Sequence, residues 1–435
     1  MTETRLTDPV EIGGVTLPNR LYRAPLLECA GNGPGAVDTL VDELEPTAAA
    51  GAGLIFQGAS IVTPEGGCAA PNMTRVHDPS FVAKLSRLTD RVHEHGSRIF
   101  IQLAEGGLRS MGLWHKQHRE RNPETPQRAV SEPPWQLKLA DRAGLVGLQP
   151  DVLSTAAVYD LAEAFGRAAG YAVDAGYDGI HISGANMGIV QQFLSPYYNR
   201  RDDEFGDGVQ FLLAVRDAVR EHAGDVPLVT KVPAETAAPP FVRRHLSRAD
   251  GLEIARRLAD AGYDAVVPVE VSVYWDASLI RGAYPDRAWE AEQLQGAYEA
   301  AFGGPLRARA VSLLNRLQSL WFPREPGWNA GFCRAVREAV DVPVLCEGGI
   351  RARGHCDRLL GADGDPAADM VGMGRPFYAE PRLPARLLAG QNRALCESCN
   401  NCTIPQVAGE PGRCRTPAVV RERARLEQDG VYDRE

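Results

Sequence analysis

Lysine is almost missing from this chain of 435 residues: Lys84, Lys116, Lys138 and Lys231 are the whole set. Arginine carries the other positive charges, none of them in a block, and the net charge is −9 with a pI near 5.6. That balance excludes the basic footprint of a nucleic-acid surface and points to a small-molecule partner. Long apolar runs are also missing. Nothing approaches the ~20 apolar residues of a membrane helix, and the opening MTETRLTDPVEIGG has no apolar signal core. A cytoplasmic protein without membrane contacts is expected.

Cysteine is scarce as well, nine in all, with Cys29, Cys68, Cys333, Cys346 and Cys356 scattered. Such sparse spacing excludes a disulfide-stapled scaffold and suits a reducing compartment. The remaining four are gathered as Cys396-Glu-Ser-Cys399-Asn-Asn-Cys402, followed by Cys414. A C-x2-C-x2-C run lets one loop fold three thiolates around an iron–sulfur cube while a fourth arrives from a short return. Pro405, Gly409, Pro411 and Gly412 fill that return with turn formers. Structural zinc more often uses two separated C-x2-C knuckles. The spacing therefore favours a [4Fe-4S] cluster, with zinc and unligated thiols as the open alternatives.

Apolar residues at 44% and charged residues at 24% are those of an ordinary globular protein. Short β-type runs, several apolar throughout as strands buried on both faces are, fall at 21–24, 54–57, 99–103, 179–183, 228–232, 265–269, 344–346 and 370–372. Between them, 3.6-residue periodicity predicts helices at 78–95, 158–175, 209–222, 249–261 and 330–340. The alternation predicts an α/β fold, a (β/α)8 TIM barrel with its active site at the C-terminal ends of the strands. A doubly wound sheet would need a Gly-rich fingerprint after its first strand, and 21–25 has none. Residues 1–388 are assigned to the barrel, and 389–435 to a cysteine segment with a charged tail that is a surface helix or frayed.

Two connections are too long for simple loops, at about 104–151 and 270–329, and in a barrel such insertions lie over the active-site mouth. The first carries Trp114, His115, His118 and Trp135. The second carries Tyr274, Trp275, a helix near 288–301, Trp321 and Trp328. A substrate lid and a satellite cluster packing the insertions onto the barrel are both open readings.

The words LPNRLYRAP (17–25), AGAGLIFQGASIVTPEG (50–66), HEHGSRIFIQLAEGG (93–107), GYDGIHISGAN (176–186), QFLSPYYNRRDDEFGD (192–207), EGGIR (347–351) and GMGRPFYAEP (372–381), together with the cysteine run, occur in this order. In these words the chain resembles the Old Yellow Enzyme superfamily of FMN-binding barrels, most of all the barrel and cluster portion of trimethylamine dehydrogenase and 2,4-dienoyl-CoA reductase. The resemblance implies FMN. It puts Gly348, Gly349, Gly374 and Arg375 at the phosphate, where glycines let backbone N–H groups approach the anion and Arg supplies a planar fork. It also assigns Pro25, Leu26, Leu27 and Gly58 to the cofactor site, and Gln102 to the flavin pyrimidine edge. Lys231 stands where relatives usually have Arg, keeping a charge that stabilises reduced flavin while losing the fork.

On the substrate side the chain departs from these relatives. Ser183 occupies the position of His in ene-reductases and Tyr in the amine dehydrogenase, Asn186 that of the next anchor, and Gly188 that of a proton-donating Tyr. Asn186 still offers a neutral hydrogen bond to a carbonyl or amine. Glu270 falls where the amine dehydrogenase places an acid, and reads either as a general base or ammonium anchor or as a solvated loop residue. Cys29 is out of place for a flavin linkage, so noncovalent FMN is expected. The longer relatives continue into dinucleotide-binding domains, and none is expected here. The resemblance thus implies a flavin- and cluster-dependent oxidoreductase that reduces an unsaturated carbonyl compound. Its electrons would pass to or from a ferredoxin, a flavodoxin or a separate reductase. Amine oxidation, and an electron-transfer subunit with a decayed substrate site, are the alternatives; a homo-oligomer is compatible with either.

Overall fold

The computed structural model describes residues 5–433. Its centre is a parallel barrel of eight strands: β1 (Leu21–Arg23), β2 (Leu54–Ile61), β3 (Arg98–Ala104), β4 (Gly179–Ile182), β5 (Leu228–Ala234), β6 (Ala265–Glu270), β7 (Leu345–Cys346) and β8 (Met370–Met373). Each matches one expected run. Neighbours in sequence pair in parallel, β8 pairs with β1, and a parallel bridge between Val266 and Val344 closes the ring between β6 and β7.

The two-residue period of a strand sorts the side chains. Leu54 and Phe56 of β2 and Phe100 of β3 join the interior cluster, whereas Ile55, Ile99 and Ile101 join the shell under the helices. Edge-to-face contacts of Phe56 with Tyr22 and Phe100, with centroids 5.5 and 5.8 Å apart, fill the axis. At the N-terminal end an antiparallel hairpin, Val10–Ile12 with Val15–Leu17, inserts Ile12 and Leu17 into the same interior. The open end is therefore the one at the strands' C-termini.

Around the barrel run α1 (Ala36–Ala49), α2 (Ser86–Glu94), α3 (Thr155–Asp174), α4 (Val209–Ala223), α5 (Arg248–Asp260), α6 (Ala330–Arg337), α7 (Arg353–Leu359) and α8 (Leu383–Leu388). Local chemistry starts the clearest of them: Ser154 accepts from Ala157 N at α3, and Ser247 with Asp250 forms a capping box at α5. None of the five expected helices covers α1, α7 or α8; α1 follows Gly35 without a side-chain cap and contains Pro46. The first insertion holds short helices and a two-stranded parallel sheet, Gln127–Ala129 with Pro150–Val152. The second adds three helices, Asp286–Trp289, Glu292–Phe302 and Pro305–Trp321. The charged tail forms the helix Pro417–Gln428, and Tyr432 beyond it is buried against Glu380; residues 434–435 lie outside the described residues. Among the described residues no helix is long and apolar enough to cross a membrane.

Candidate active site

At the C-terminal ends of the strands two cavities of about 740 and 540 Å³ adjoin, sharing Pro25, Leu26 and Asn186 in their walls. A small third cavity, lined by Cys396, Cys399, Cys402 and Cys414, adjoins the first through Arg375 and Ser398.

The first half is glycine-lined and cationic. Gly348 has φ +115° and a Cβ there would stand 2.8 Å from the Trp328 ring; Gly349 has φ +69° and its Cβ would fall 2.0 Å from Glu325 O. Only glycine fits either position. Arg375 gives one Nη to Asn400 Oδ1 and the other to Arg281 O at 2.8 Å, so it ties the cavity wall to the cysteine loop. Arg351 donates one Nη to Cys396 O, but its Nε and second Nη are buried without a partner. Burial lowers its pKa, with Arg324, Arg393 and Arg375 adding to the effect. Clustered guanidinium groups with idle donors call for an anion. Opposite them the ammonium of Lys231, on β5, pairs with the Glu347 carboxylate, whose Oε2 has no partner.

The second half is lined mainly by apolar side chains. Gln102, on β3, donates to Nδ1 of His181 at 3.0 Å, and burial keeps that imidazole neutral. Gly58 has φ +126°, where a Cβ would meet Gln102 O at 2.8 Å. Leu27, Ser183 and Gly188 line this half too. Asn186 is left-handed at φ +74°, as is Met187 at +59°, and Asn186 Oδ1 is buried without a partner. Two glutamines hold that turn. Met187 N donates to Gln191 Oε1 at 2.7 Å, Gln192 Nε2 donates to Met187 O at 2.6 Å, and Gln191 Nε2 donates in turn to Glu235 at 3.0 Å. Burial pushes the Glu235 carboxyl up to about 7.

Two further charged residues in this wall were missed in the sequence. Glu105, just past β3, accepts from Gly107 N at 2.5 Å and pairs with Arg128 at 3.4 Å; burial raises its pKa against that pairing. Arg109, at the end of the following 3-10 turn, donates to Asn186 O at 3.3 Å. The word IQLAEGG quoted above contains Glu105 and stops two residues before Arg109. Nothing in its spacing shows which of these charges turns inward.

Glu270 is not brought to this site. It ends β6 in a bidentate pair with Arg248 of α5, at 2.6 and 3.0 Å, and lines neither cavity. Cys29 also lines neither, and burial pushes its thiol up to about 12. The insertion aromatics pack largely on one another: Trp114 and Trp289 each meet Phe302, and Trp289 shares a cluster with Ile404 and Val407 of the cysteine segment. Trp328 alone among the insertion aromatics lines the first half, and none lines the second. Trp135 and Trp321 are exposed, Tyr274 and Trp275 pack in a separate cluster, and no insertion aromatic covers the second cavity.

The cysteine loop is built by left-handed turns at Ser398 and Asn400, φ +58° and +60°, and is tied to the second insertion by Ala283 N on Ser398 O at 2.9 Å. The four thiols face one cavity. Among the described residues, however, no group of three or more His, Cys, Asp or Glu side chains is gathered closely enough to hold a metal ion.

A closed parallel barrel with a glycine-lined cationic cavity at its strand ends, opening onto a second and more apolar one, defines a barrel enzyme built around a phosphate-bearing cofactor. The chain belongs to the NADH:flavin oxidoreductase / NADH oxidase family, which matches residues 5–240. That family is one of flavin enzymes, and the partnerless Arg351 donors and the glycine cradle would fit the phosphate of an FMN.

A 4,4'-dithiodibutanoate disulfide reductase of Rhodococcus erythropolis is 29% identical over 97% of this chain and 98% of its own. An NADPH dehydrogenase of Geobacillus thermodenitrificans is 30% identical over 80% of this chain and 99% of its own. An NADH oxidase of Thermoanaerobacter brockii is 26% identical over 92% of this chain, which spans only 56% of that relative. Histamine dehydrogenase from Rhizobium sp. 4-9 shares the fold with a TM-score of 0.70 at 22% identity, over 96% of this chain and 53% of that one.

Proposed function

We propose that the chain passes hydride between FMN and a small organic substrate held in the second half of the cavity, in the direction that reduces an unsaturated carbonyl compound. Asn186 carries the reading. It lines both halves, is fixed by the two glutamines, and keeps a buried amide oxygen without a partner. An amide so placed offers both donor and acceptor to whatever lies between cofactor and substrate.

FMN, when bound, supplies hydride exchange. The chain's own residues orient and tune. Gly348, Gly349, Gly374, Arg351 and Arg375 hold the phosphate end, Gln102 and Lys231 face the ring, and Pro25, Leu26, Leu27 and Gly58 form the wall. Asn186 and Ser183 orient the substrate. Gly188 has no proton to give, and Glu105, the one carboxyl group in that wall, is paired with Arg128, so the proton is drawn from water. Arg109 in the same wall repels an ammonium substrate, which disfavours amine oxidation. A second reading, reduction of an organic disulfide, is favoured by the relative that this chain matches end to end.

Mixing photoreduced holoprotein anaerobically with an enone, an organic disulfide or neither separates the readings. Reoxidation by the enone supports the first and reoxidation by the disulfide alone supports the second. Bleaching of the oxidised protein by an amine overturns both. In Asn186→Ala the flavin content should be unchanged and kcat/KM lowered at least tenfold; an unchanged kcat/KM removes Asn186 from the site.

For the cysteines we infer a [4Fe-4S] cluster on Cys396, Cys399, Cys402 and Cys414 that serves as a port for an external carrier such as ferredoxin or flavodoxin. Support comes from four thiols on one cavity wall next to the flavin half, two of them, Cys399 and Cys414, only half-buried. Anaerobically purified protein should contain about four iron and four sulfide per chain. Cys402→Ser should lose the iron and keep FMN, and zinc in place of iron would refute the cluster.

A further inference from the structure

The wall of the substrate half is mostly apolar, made of Leu27, Ala59, Ile61, Ala69, Met73 and Ala104, and Arg109 is the one cation set into it. Its Nη1 donates to Asn186 O at 3.3 Å, while its Nε is buried without a partner. Elsewhere Arg23 is neutralised by Glu28 and Glu43, Arg201 by Asp203, and Arg386 by Glu380; only Arg351, in the wall of the first cavity, shares with Arg109 the lack of an ion pair among these buried arginines. Arg109 makes no ion pair among the described residues. The acids near it are engaged elsewhere. Glu105 is paired with Arg128, and Asp276 accepts from Ser278 N at 2.9 Å without reaching the guanidinium.

A guanidinium held in low dielectric without a counter-ion is unfavourable until an anion enters. Its planar fork matches two oxygens on one carbon. Beside it stands Asn186, whose side chain borders the flavin half. We propose that Arg109 is a carboxylate anchor, so that the substrate is an organic anion whose carboxylate pairs with Arg109 while its reducible group lies toward Asn186. This rests on the flavin-oxidoreductase reading above and names the substrate class for that site. A neutral enone then binds by the apolar wall alone, and an enoate or a carboxylated disulfide gains the ion pair.

The test uses flavin-loaded full-length protein, with benzoate and 4-phenylbutanoate as dead-end probes against their amides, each followed by calorimetry and by the flavin absorbance difference. The acids should bind at least tenfold more tightly than the amides. Arg109→Met should erase that preference while amide affinity and flavin content stay constant, and Arg109→Lys should keep part of it. Equal affinity for acid and amide in the unaltered protein overturns the proposal without any variant. So does tighter binding of inorganic phosphate than of benzoate, because the ligand class would then be wrong. Protein without bound flavin defeats the oxidoreductase reading instead, and calorimetry still reports on Arg109 in that case.

Discussion

The ammonium of Lys231 is bonded to the carboxylate of Glu347 across the barrel mouth, from β5 to the loop after β7, and both line the first cavity. Family likeness singles out Lys231 as a lone cation beside the flavin. The pair changes that: its net charge is zero, and it faces the cavity with both a donor and the idle acceptor Glu347 Oε2. Such a pair reads a ligand edge that carries both kinds of group, where a bare cation would read only negative charge.

Breaking the pair from one side strands the other charge in a buried wall. Lys231→Met should therefore lower stability by about 3 to 5 kcal/mol, and Glu347→Gln by less, because the glutamine amide still offers an acceptor. The double variant should recover part of the loss. Chemical denaturation of all four proteins measures the coupling, and strictly additive losses would show that the two residues act independently.

The glycine cradle gives a prediction with a different readout. Gly349→Ala asks for a Cβ at φ +69° and 2.0 Å from Glu325 O, which no rotamer can relieve. The backbone must shift, and the loop shared with Gly348 shifts with it. FMN retention after gel filtration should fall at least tenfold, while the barrel's circular dichroism is preserved. Full retention would place the phosphate elsewhere.

Buried carboxylates set the pH response. Glu235 sits at about 7 in the folded protein because burial disfavours its charge. Its folded pKa lies above the unfolded value, so the folded state binds more protons between about pH 4.5 and 7. The stability contribution is complete below that window and is lost as pH rises through it, at up to about 1.4 kcal/mol per pH unit for one group. Glu235→Gln should flatten this slope in a series of thermal unfolding curves. It should also keep the Gln191 contact that steadies Asn186. A slope as steep as that of the unaltered protein would assign it to Glu28 or Glu43, whose pKa values burial also raises.

The barrel was legible because its signals are local. Runs such as LIFQG and RIFIQL are apolar over the length of a strand, and turn residues punctuate them. Helix α1 was not, since Pro46 and the flanking glycines break up a periodic face that packing then restores. Site residues divide the same way. Gly348, Gly349 and Arg375 stand in quotable words, whereas Glu105 and Arg109 take their meaning from which way a side chain turns after β3, and only the third dimension fixes that. Glu270 shows the converse: family register left it as an acid at the mouth or a solvated loop residue, and it ends β6 buried and paired with Arg248 of α5, lining neither cavity.

Below the cavity, Arg23 tests the scaffold without touching the chemistry. Its side chain is 1% exposed and bonds Glu28 at 2.9 Å, Glu43 at 2.8 Å and Phe56 O at 3.2 Å. Glu28 in turn accepts from Gly58 N at 3.1 Å, so one guanidinium ties β1, α1 and the stretch of β2 that carries Gly58. Arg23→Leu leaves two buried carboxylates facing each other, and the loss should exceed the ~3 to 5 kcal/mol of a single broken buried pair. Protonating them relieves the repulsion, so the variant should regain stability as pH falls from 8 toward 5, and denaturant midpoints across that range measure it. A variant that loses the same stability at both ends would mean that Arg23 acts by packing rather than by charge.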